Sequence, residues 1–266
     1  MCRHLFSVIL LLLLSGCTLT PDYERPELDV PESYVQPADA GASIANLEWW
    51  SLFSDAQLQY LIRTALAENR DLRASLQRIR EARSFLTFTR ANQYPFIDGS
   101  ASVSRERPSK ILFPGSETSN NYSLSADLSF EVDLWGKLRR ATQAAQSDLL
   151  ATEAAYRTVT ISLVANVASV YFLLRDLDGR LQISRDTVKS RTESLKIIQA
   201  RFDKGTVPEL DVNQAEIELA IAEAAVSAFE RETVQTENAL QFLLGRNPGP
   251  IQRGLLLEQQ VMPSDI

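Results

Sequence analysis

Few side chains in this sequence are suited to covalent or acid–base chemistry. Its 266 residues include two cysteines and one histidine, at Cys2, Cys17 and His4. His4 lies in an N-terminal segment that we expect to be removed. A mature chain without histidine cannot form a Ser-His-Asp site, a Cys-His site or a His-ligated zinc site. Because the sequence also offers no nucleophile–base pair and no phosphate-binding loop, we predict no enzyme, no metal and no cofactor.

The chemistry that the sequence does predict is acylation of Cys17. A short basic start precedes an apolar run over residues 5–14, and the letters LSGC follow, ending at Cys17. An apolar run this short is typical of a signal peptide and not of a permanent transmembrane helix. The LSGC ending resembles the lipobox of bacterial lipoproteins, so we expect removal of residues 1–16 and covalent lipid on Cys17. An ordinary signal peptide with a chance cysteine is the alternative.

The residues around Cys17 refine this prediction. Cys2 would leave with the signal peptide, so the mature chain would hold one thiol, already acylated, and no disulfide. Thr18 follows Cys17 where some lipoproteins have Asp, and this resembles the pattern of lipoproteins sorted to the outer membrane. Residues 17–53 are rich in proline and lack a hydrophobic period, which predicts an extended lipid-anchored segment lying on other structure.

The charge pattern argues against a nucleic-acid partner. The formal net charge is −7, and the Lys and Arg residues are spread along predicted helices instead of clustering. One local basic group, Lys137, Arg139 and Arg140, opens a predicted helix, where positive charge opposes the helix dipole. These three side chains either lie level with lipid phosphates or form an ordinary exposed first turn.

Two segments show the alternation of a β-strand. Residues 122–134 alternate apolar and polar side chains without interruption, and a shorter version runs over residues 97–104. About fifteen polar and turn-forming residues separate them, too many for a tight hairpin turn. A strand of about thirteen residues, tilted by about 40°, would cross roughly 30 Å of bilayer, and aromatic residues stand near its ends. A soluble sheet is the alternative, but we favour a transmembrane barrel, which partner chains must close.

Residues 54–94 have a helical pattern. Ser54 and Asp55 are good N-cap residues at its start, and the apolar pattern weakens over residues 69–71 before it resumes at Leu72. A longer pattern follows from Lys137 to Lys204, where apolar residues recur every seven positions without a proline. A continuous helix of that length would be a rod of the order of 100 Å.

The rod is predicted to turn back at a short connection. Gly205 suits a C-terminal cap, and Pro208 cannot continue a helix but can open the next. The returning helix, predicted over residues 209–244, carries two apolar stripes, and two stripes indicate two neighbours. One stripe consists of Val212, Ala215, Leu219, Ala222, Val226 and Phe229, and the other of Leu210, Ile217, Ile221 and Ala224. We therefore expect a helical wall that continues beyond this chain.

These features together resemble a known family, the TolC-like outer membrane factors of tripartite efflux systems. The resemblance is greatest to their lipoprotein branch, the OprM and NodT type. It rests on the lipobox followed by PDYERP, then WWSLFSDAQLQYLIRTALAENRDLRASLQRIREAR, FEVDLWGKLRRA, ARFDKGTVPELDVNQAE and ALQFLLG, in the family's order and over nearly the whole chain.

The resemblance implies a mainly α protein with a membrane β-barrel portion. A long antiparallel helical hairpin would form an α-barrel, and a β-hairpin would contribute to an oligomeric transmembrane β-barrel, with a homotrimer as the family's assembly. Small molecules would leave through this channel, driven by an inner-membrane pump through a periplasmic adaptor protein. The protein would be anchored by lipid in the outer membrane of a Gram-negative bacterium and extend into the periplasm.

The same resemblance assigns roles to individual residues. Those expected to face lipid are Leu124, Leu128 and Phe130, and those expected to face the pore are Asp127, Glu131 and Asp133. The periplasmic tip that engages the adaptor would consist of Gly205, Thr206, Val207, Pro208, Glu209 and Leu210.

The chain is thereby divided into six parts. They are a signal peptide (1–16), the lipid anchor with an extended segment (17–53), periplasmic helices (54–94), a transmembrane strand pair with a long extracellular loop (95–134), a long periplasmic helical hairpin (135–245) and a linker to a missing second repeat (246–266). Family members are nearly twice as long, so this chain resembles their N-terminal half. It would then be a fragment or truncated form, or half-length chains would assemble in larger number. A periplasmic coiled-coil lipoprotein that acts as scaffold or tether, and a non-functional truncated channel protein, are the alternatives.

Overall fold

A computed structural model describes Glu27 and residues 53–260, apart from residues 110, 113 and 116. The predicted signal peptide, Cys17 and the residues after 260 lie outside the described part, as does nearly all of segment 17–53. The chain divides into two compact units. Of the described residues, the first contains Glu27 and residues 78–153, and the second contains residues 53–77 and 154–260.

The described chain is mainly helical with one antiparallel strand pair, as predicted. Its elements are α1 (Ala56–Glu68), α2 (Arg70–Ala91), β1 (Phe96–Glu106), β2 (Ser119–Ser129), α3 (Lys137–Asp203), α4 (Glu209–Leu243) and a short 3-10 helix (Leu257–Gln259). Helix α3 has 67 residues, and at about 1.5 Å per residue it extends for roughly 100 Å. The long helix predicted between residues 137 and 204 is therefore continuous.

The ends of the first two helices are fixed by side-chain caps. Asp55 is the N-cap of α1, and its Oδ1 accepts hydrogen bonds from the backbone N–H groups of Gln57 (2.8 Å) and Leu58 (3.3 Å). Asn69 separates α1 from α2: its Oδ1 accepts from the N–H of Leu72 (2.8 Å), and its Nδ2 donates to the carbonyl of Leu243 (2.9 Å). Within the weak stretch predicted over residues 69–71, Asn69 is thus a junction that also holds the end of α4.

The hydrophobic core of the second unit lies where α1, α3 and α4 meet. Its completely buried apolar side chains are Leu58, Ile62, Val164, Val167, Tyr171, Leu174, Leu240 and Leu244. Just beyond α4, Gly245 has a φ of 73°, and a Cβ at this position would lie 2.5 Å from the carbonyl oxygen of Glu68. Only glycine allows this close approach of the two helix ends.

The first unit contains the strand pair. Its antiparallel register places Ile97 opposite Leu128, and Ala101 opposite Leu124. Beside the strands, Gln93 donates from Nε2 to the carbonyl of Leu138 (3.4 Å), which ties the end of α2 to the start of α3. The two predicted alternating segments therefore pair over residues 97–104 and 121–128, and the apolar side chains of this paired part share one face.

The second strand does not extend as far as predicted. We expected it to cover residues 122–134, but β2 covers Ser119–Ser129. The pair after Phe96 and Ser129 would join Pro95 to Phe130, and a proline cannot donate a ladder hydrogen bond. Phe130, Glu131 and Asp133 therefore lie outside the strand, in the connection to α3.

Candidate functional surfaces

The apolar face of the strand pair is exposed in the described part of the chain. Leu124 and Leu128 are 86% and 69% exposed, and Ile97, Val103 and Tyr122, which share their face, are exposed as well. Along the two strands, only Ser104 is less than exposed. Because an isolated two-stranded ribbon is marginal in water at best, this ribbon needs additional partners on its edges and on its apolar face.

The opposite face of the strand pair is polar except at Phe96, which pairs with Ser129. Ser100 and Ser102 form side-chain hydrogen bonds with Ser125 (2.8 Å) and Ser123 (2.7 Å) directly across the pair. At the end of the strand pair where Phe96 pairs with Ser129, the register places Asp98 opposite Asp127. Like charges directly opposite each other destabilise a sheet, so this pair favours surroundings of water or counterions. Sequence reasoning chose Asp127 but missed Asp98, because the exact register was not predicted.

The other two acidic candidates bind the start of α3. The Asp133 carboxylate accepts hydrogen bonds from the backbone N–H groups of Leu138 (3.2 Å) and Arg139 (3.0 Å), as an N-terminal cap does. Glu131 forms an ion pair with Lys137, with 3.0 Å between Oε1 and Nζ. These contacts explain how a basic first turn is tolerated, since two carboxylates offset its charge.

Phe130 adjoins these carboxylates and is about half exposed. It occupies the connection after β2, so it does not continue the ladder of Leu124 and Leu128. Of the six residues assigned to the two faces, the structure thus brings Leu124, Leu128 and Asp127 onto the strand pair. The other three belong to the connection between strand and helix.

The connection between α3 and α4 is a tight, well-capped turn. Gly205 has a φ of 72°, its N–H donates to the carbonyl of Phe202 (2.7 Å), and the N–H of Thr206 donates to that of Arg201 (3.0 Å). This is the predicted glycine cap. Pro208 stands at the N-cap of α4 and not inside the helix.

The six residues proposed for the tip lie together in and just after this turn. They are Gly205, Thr206, Val207, Pro208, Glu209 and Leu210. Leu210 is 70% exposed, whereas Val207 is partly buried. An exposed leucine surrounded by polar side chains is a suitable contact for another protein.

Helix α4 uses one of its two apolar stripes inside the chain and leaves the other bare. On the first stripe, Val212 and Ala222 are buried. On the second, Ile217 and Ile221 are both about 60% exposed. Across the hairpin, Arg185 pairs with Glu230 (2.8 Å) and Arg191 with Glu218 (3.2 Å). The exposed stripe agrees with the expected wall that continues beyond this chain.

Within the residues that the structure describes, no group of three or more His, Cys, Asp or Glu side chains is arranged to hold a metal ion. The surfaces described above are the apolar and polar faces of the strand pair, the turn and the bare stripe of α4. Each of them is suited to contact with lipid, water or another protein.

Comparison with known proteins gives a consistent result. Residues 61–246 match the model of a family described as outer membrane efflux protein. The chain is 33% identical to the cation efflux system protein CusC of Escherichia coli K12 over 258 residues, which is 96% of this chain and 54% of CusC. It is 32% identical to SilC of Salmonella typhimurium, a probable outer membrane lipoprotein, over 91% of this chain and 53% of SilC.

Solved structures agree with these sequence matches. The open state of the MtrE outer membrane channel of Neisseria gonorrhoeae superposes with a TM-score of 0.74 at 29% identity, over 92% of this chain and 55% of MtrE. The chain spans about half the length of the curated relatives it matches.

Proposed function

Because the chain belongs to the outer membrane efflux protein family, we propose that it forms part of the wall of a channel that exports small molecules through the outer membrane. One observation carries the proposal: over residues 97–104 and 121–128, the register of β1 and β2 gathers the apolar side chains on one exposed face and the polar ones on the other. A strand pair with these two faces suits a barrel that separates lipid from water.

The lipid-facing side of this wall is formed by Leu124 and Leu128. Removing a leucine side chain from water contributes about 1.5–3 kcal/mol, and the bilayer interior would supply the apolar surroundings for these two side chains. Phe130 would sit at the boundary of the bilayer, because it follows the last paired residue. The open edges of the strand pair require further strands from other repeats or copies, and for the full-length form of the family the assembly we propose is a homotrimer.

The water-facing side of the wall is formed by the serines and by Asp127, together with Asp98 opposite it. Water and mobile cations in a pore would screen the repulsion between these two carboxylates. Glu131 and Asp133 would line the pore entrance next to the strands, where both are already engaged with the start of α3.

The hairpin turn is the proposed contact with the periplasmic adaptor protein, through which an inner-membrane pump would deliver its substrate. Leu210 provides the exposed apolar contact, and Glu209 provides charge beside it. The fixed backbone around Gly205 supports this role, since a preformed surface loses less conformational entropy on binding.

Conductance of the assembled protein tests the proposal. Protein extracted from its native membrane and added to a planar bilayer is expected to give discrete conductance steps. Cys17→Ala should abolish labelling with radioactive fatty acid but leave these steps unchanged, because the barrel and not the lipid forms the pore. Labelled protein without any conductance would contradict the proposal and favour a periplasmic scaffold.

A further inference from the structure

A dense polar contact lies in the second unit, where the segment after α4 crosses the helical hairpin. We call this contact the clasp; it consists of segment 251–260 and the three carboxylates that the segment contacts, Asp55, Asp178 and Glu237. Asp55 is 1% exposed, and its two oxygens accept five hydrogen bonds. The donors are the N–H groups of Gln57, Leu58 and Leu255, the hydroxyl of Tyr171 and the side-chain amide of Gln260, at 2.7–3.3 Å.

Gly254 permits this contact by its lack of a side chain. A Cβ at this position would lie 2.1 Å from Oδ1 and 2.6 Å from Oδ2 of Asp55. In addition, the Gly254 N–H donates to the hydroxyl of Tyr171 (3.0 Å). The backbone of the segment is therefore held directly against the buried carboxylate, and no other residue fits without displacing it.

Arg253 joins the two long helices at one level. Its Nε and Nη2 donate to the two oxygens of Asp178 on α3, at 3.0 and 3.1 Å, and its Nη1 donates to Glu237 on α4. Arg175 donates to Asp178 (2.6 Å) and to the carbonyl of Leu255 (2.9 Å). A bidentate pair fixes both partners in direction as well as distance, so α3 and α4 are cross-linked at Asp178 and Glu237.

The tight packing of α3 ends at this level. Its buried residues in the second unit run from Leu163 to Leu177, and none of residues 179–203 is buried. Gly179 comes directly after Asp178, and a Cβ there would meet nothing within 4 Å. Glycine in a helix interior weakens the helix and serves no packing purpose in this case.

We name the two parts of the hairpin by this boundary. The base consists of α1, residues 154–178 and 233–244, and segment 251–260. The arm consists of residues 179–232, in which only Val212 and Ala222 are buried. We propose that the clasp holds the base together as one cooperative unfolding unit. The arm unfolds locally and bends independently of the base, and Gly179 marks the boundary between the two.

The clasp is suited to a permanent lock and not to a switch near neutral pH. All five partners of Asp55 are donors, so the contact requires the ionised carboxylate. Burial raises the pKa of Asp55, but the hydrogen bonds from Tyr171, Gln260 and the helix N–H groups outweigh it and keep the pKa below its ordinary value. Arg175, Asp178, Glu237 and Arg253, the other charged groups around the segment, are paired with one another.

Hydrogen exchange measured by mass spectrometry on the full chain in detergent tests the lock. Amides of α3 over residues 163–178 should exchange about tenfold more slowly than those over residues 179–203. Gly254→Ala should accelerate exchange about tenfold over residues 163–178 and 251–257 and leave the arm unchanged. Gly249→Ala is the matched control, because the nearest atom to its added Cβ is 3.9 Å away.

Two arm variants test the boundary itself. Val212→Ala should accelerate exchange in the arm alone. Gly179→Ala adds a methyl group into open space and should slow exchange around residues 176–186 about fivefold, since alanine favours the helix. Two results would overturn the proposal: faster amide exchange in the base of the Val212→Ala variant, or amide exchange in the base of the Gly254→Ala variant as slow as in the wild type. These measurements involve no transport, so their outcome is independent of the proposed function.

Discussion

The hairpin base and the strand pair obtain their stability from opposite sources. In the base, Tyr171 and Leu174 are completely buried among side chains of this same chain. In the strand pair, Leu124 and Leu128 are bare, although the sequence places apolar residues there with equal regularity. The difference teaches that apolar patterning fixes which face is apolar, whereas the surroundings decide what covers it. The base has a buried core of its own, whereas the apolar side chains of the strand pair are exposed.

The largest effect that this comparison predicts lies in the base. Leu174→Ala removes a completely buried side chain and should lower the free energy of unfolding by about 2–5 kcal/mol. The adjacent Leu173 is 49% exposed on the same helix, so Leu173→Ala should change the free energy of unfolding by about 0.5 kcal/mol or less. Urea unfolding of the full chain in detergent, followed by circular dichroism, measures both. Equal losses for the two variants would contradict a core of this chain's own making.

A smaller effect is predicted for the buried carboxylate of the clasp. Asp55→Asn replaces one acceptor oxygen by an amide donor that faces other donors. The substitution should lower the free energy of unfolding by about 1.5–3 kcal/mol at pH 7. Because the pKa of Asp55 in the folded chain lies below its ordinary value of 3.8, its contribution is present above that pH and is lost as the pH falls through the folded pKa. The difference in the free energy of unfolding between wild type and Asp55→Asn, measured by urea unfolding, should therefore become smaller below about pH 4. A difference independent of pH would show that the charge of Asp55 is not the cause.

The smallest effect is predicted in the strand pair. Asp127→Asn relieves the repulsion from Asp98 across the pair and should stabilise the assembled protein by about 0.2–1 kcal/mol. Asp148→Asn, at an exposed position of α3, removes the same charge and should leave stability unchanged. Thermal unfolding at low salt detects the difference, which should shrink as salt screens the two charges. A destabilised Asp127→Asn variant would mean that this carboxylate has a favourable partner.

Local sequence signals predicted the helix ends well. An N-cap at Ser54 or Asp55 and a left-handed cap at Gly205 follow from residue type and position alone, because Asp55 and Gly205 make their capping contacts within a few residues. The long helix of α3 follows from a sustained apolar period without proline. These elements need no knowledge of distant contacts.

Contacts between distant residues were not predictable in the same way. The end of β2 depends on Pro95, the residue directly before β1. Its effect on β2 could be recognised only once the register of the two strands was known. The roles of Glu131 and Asp133 depend on the first turn of α3. In the clasp, the Leu255 N–H meets a carboxylate 200 residues earlier in the chain, and no local spacing indicates this.

Labelling of single cysteines in lipid vesicles tests most directly whether the strand pair separates lipid from water. Cysteine is introduced at Leu124, Leu128, Ser125 or Asp127, and each variant is treated with a lipid-soluble or a membrane-impermeant maleimide. The account predicts that positions 124 and 128 react with the lipid-soluble reagent, and that positions 125 and 127 react with the aqueous one through the pore. Equal reaction of all four positions with the aqueous reagent would contradict it.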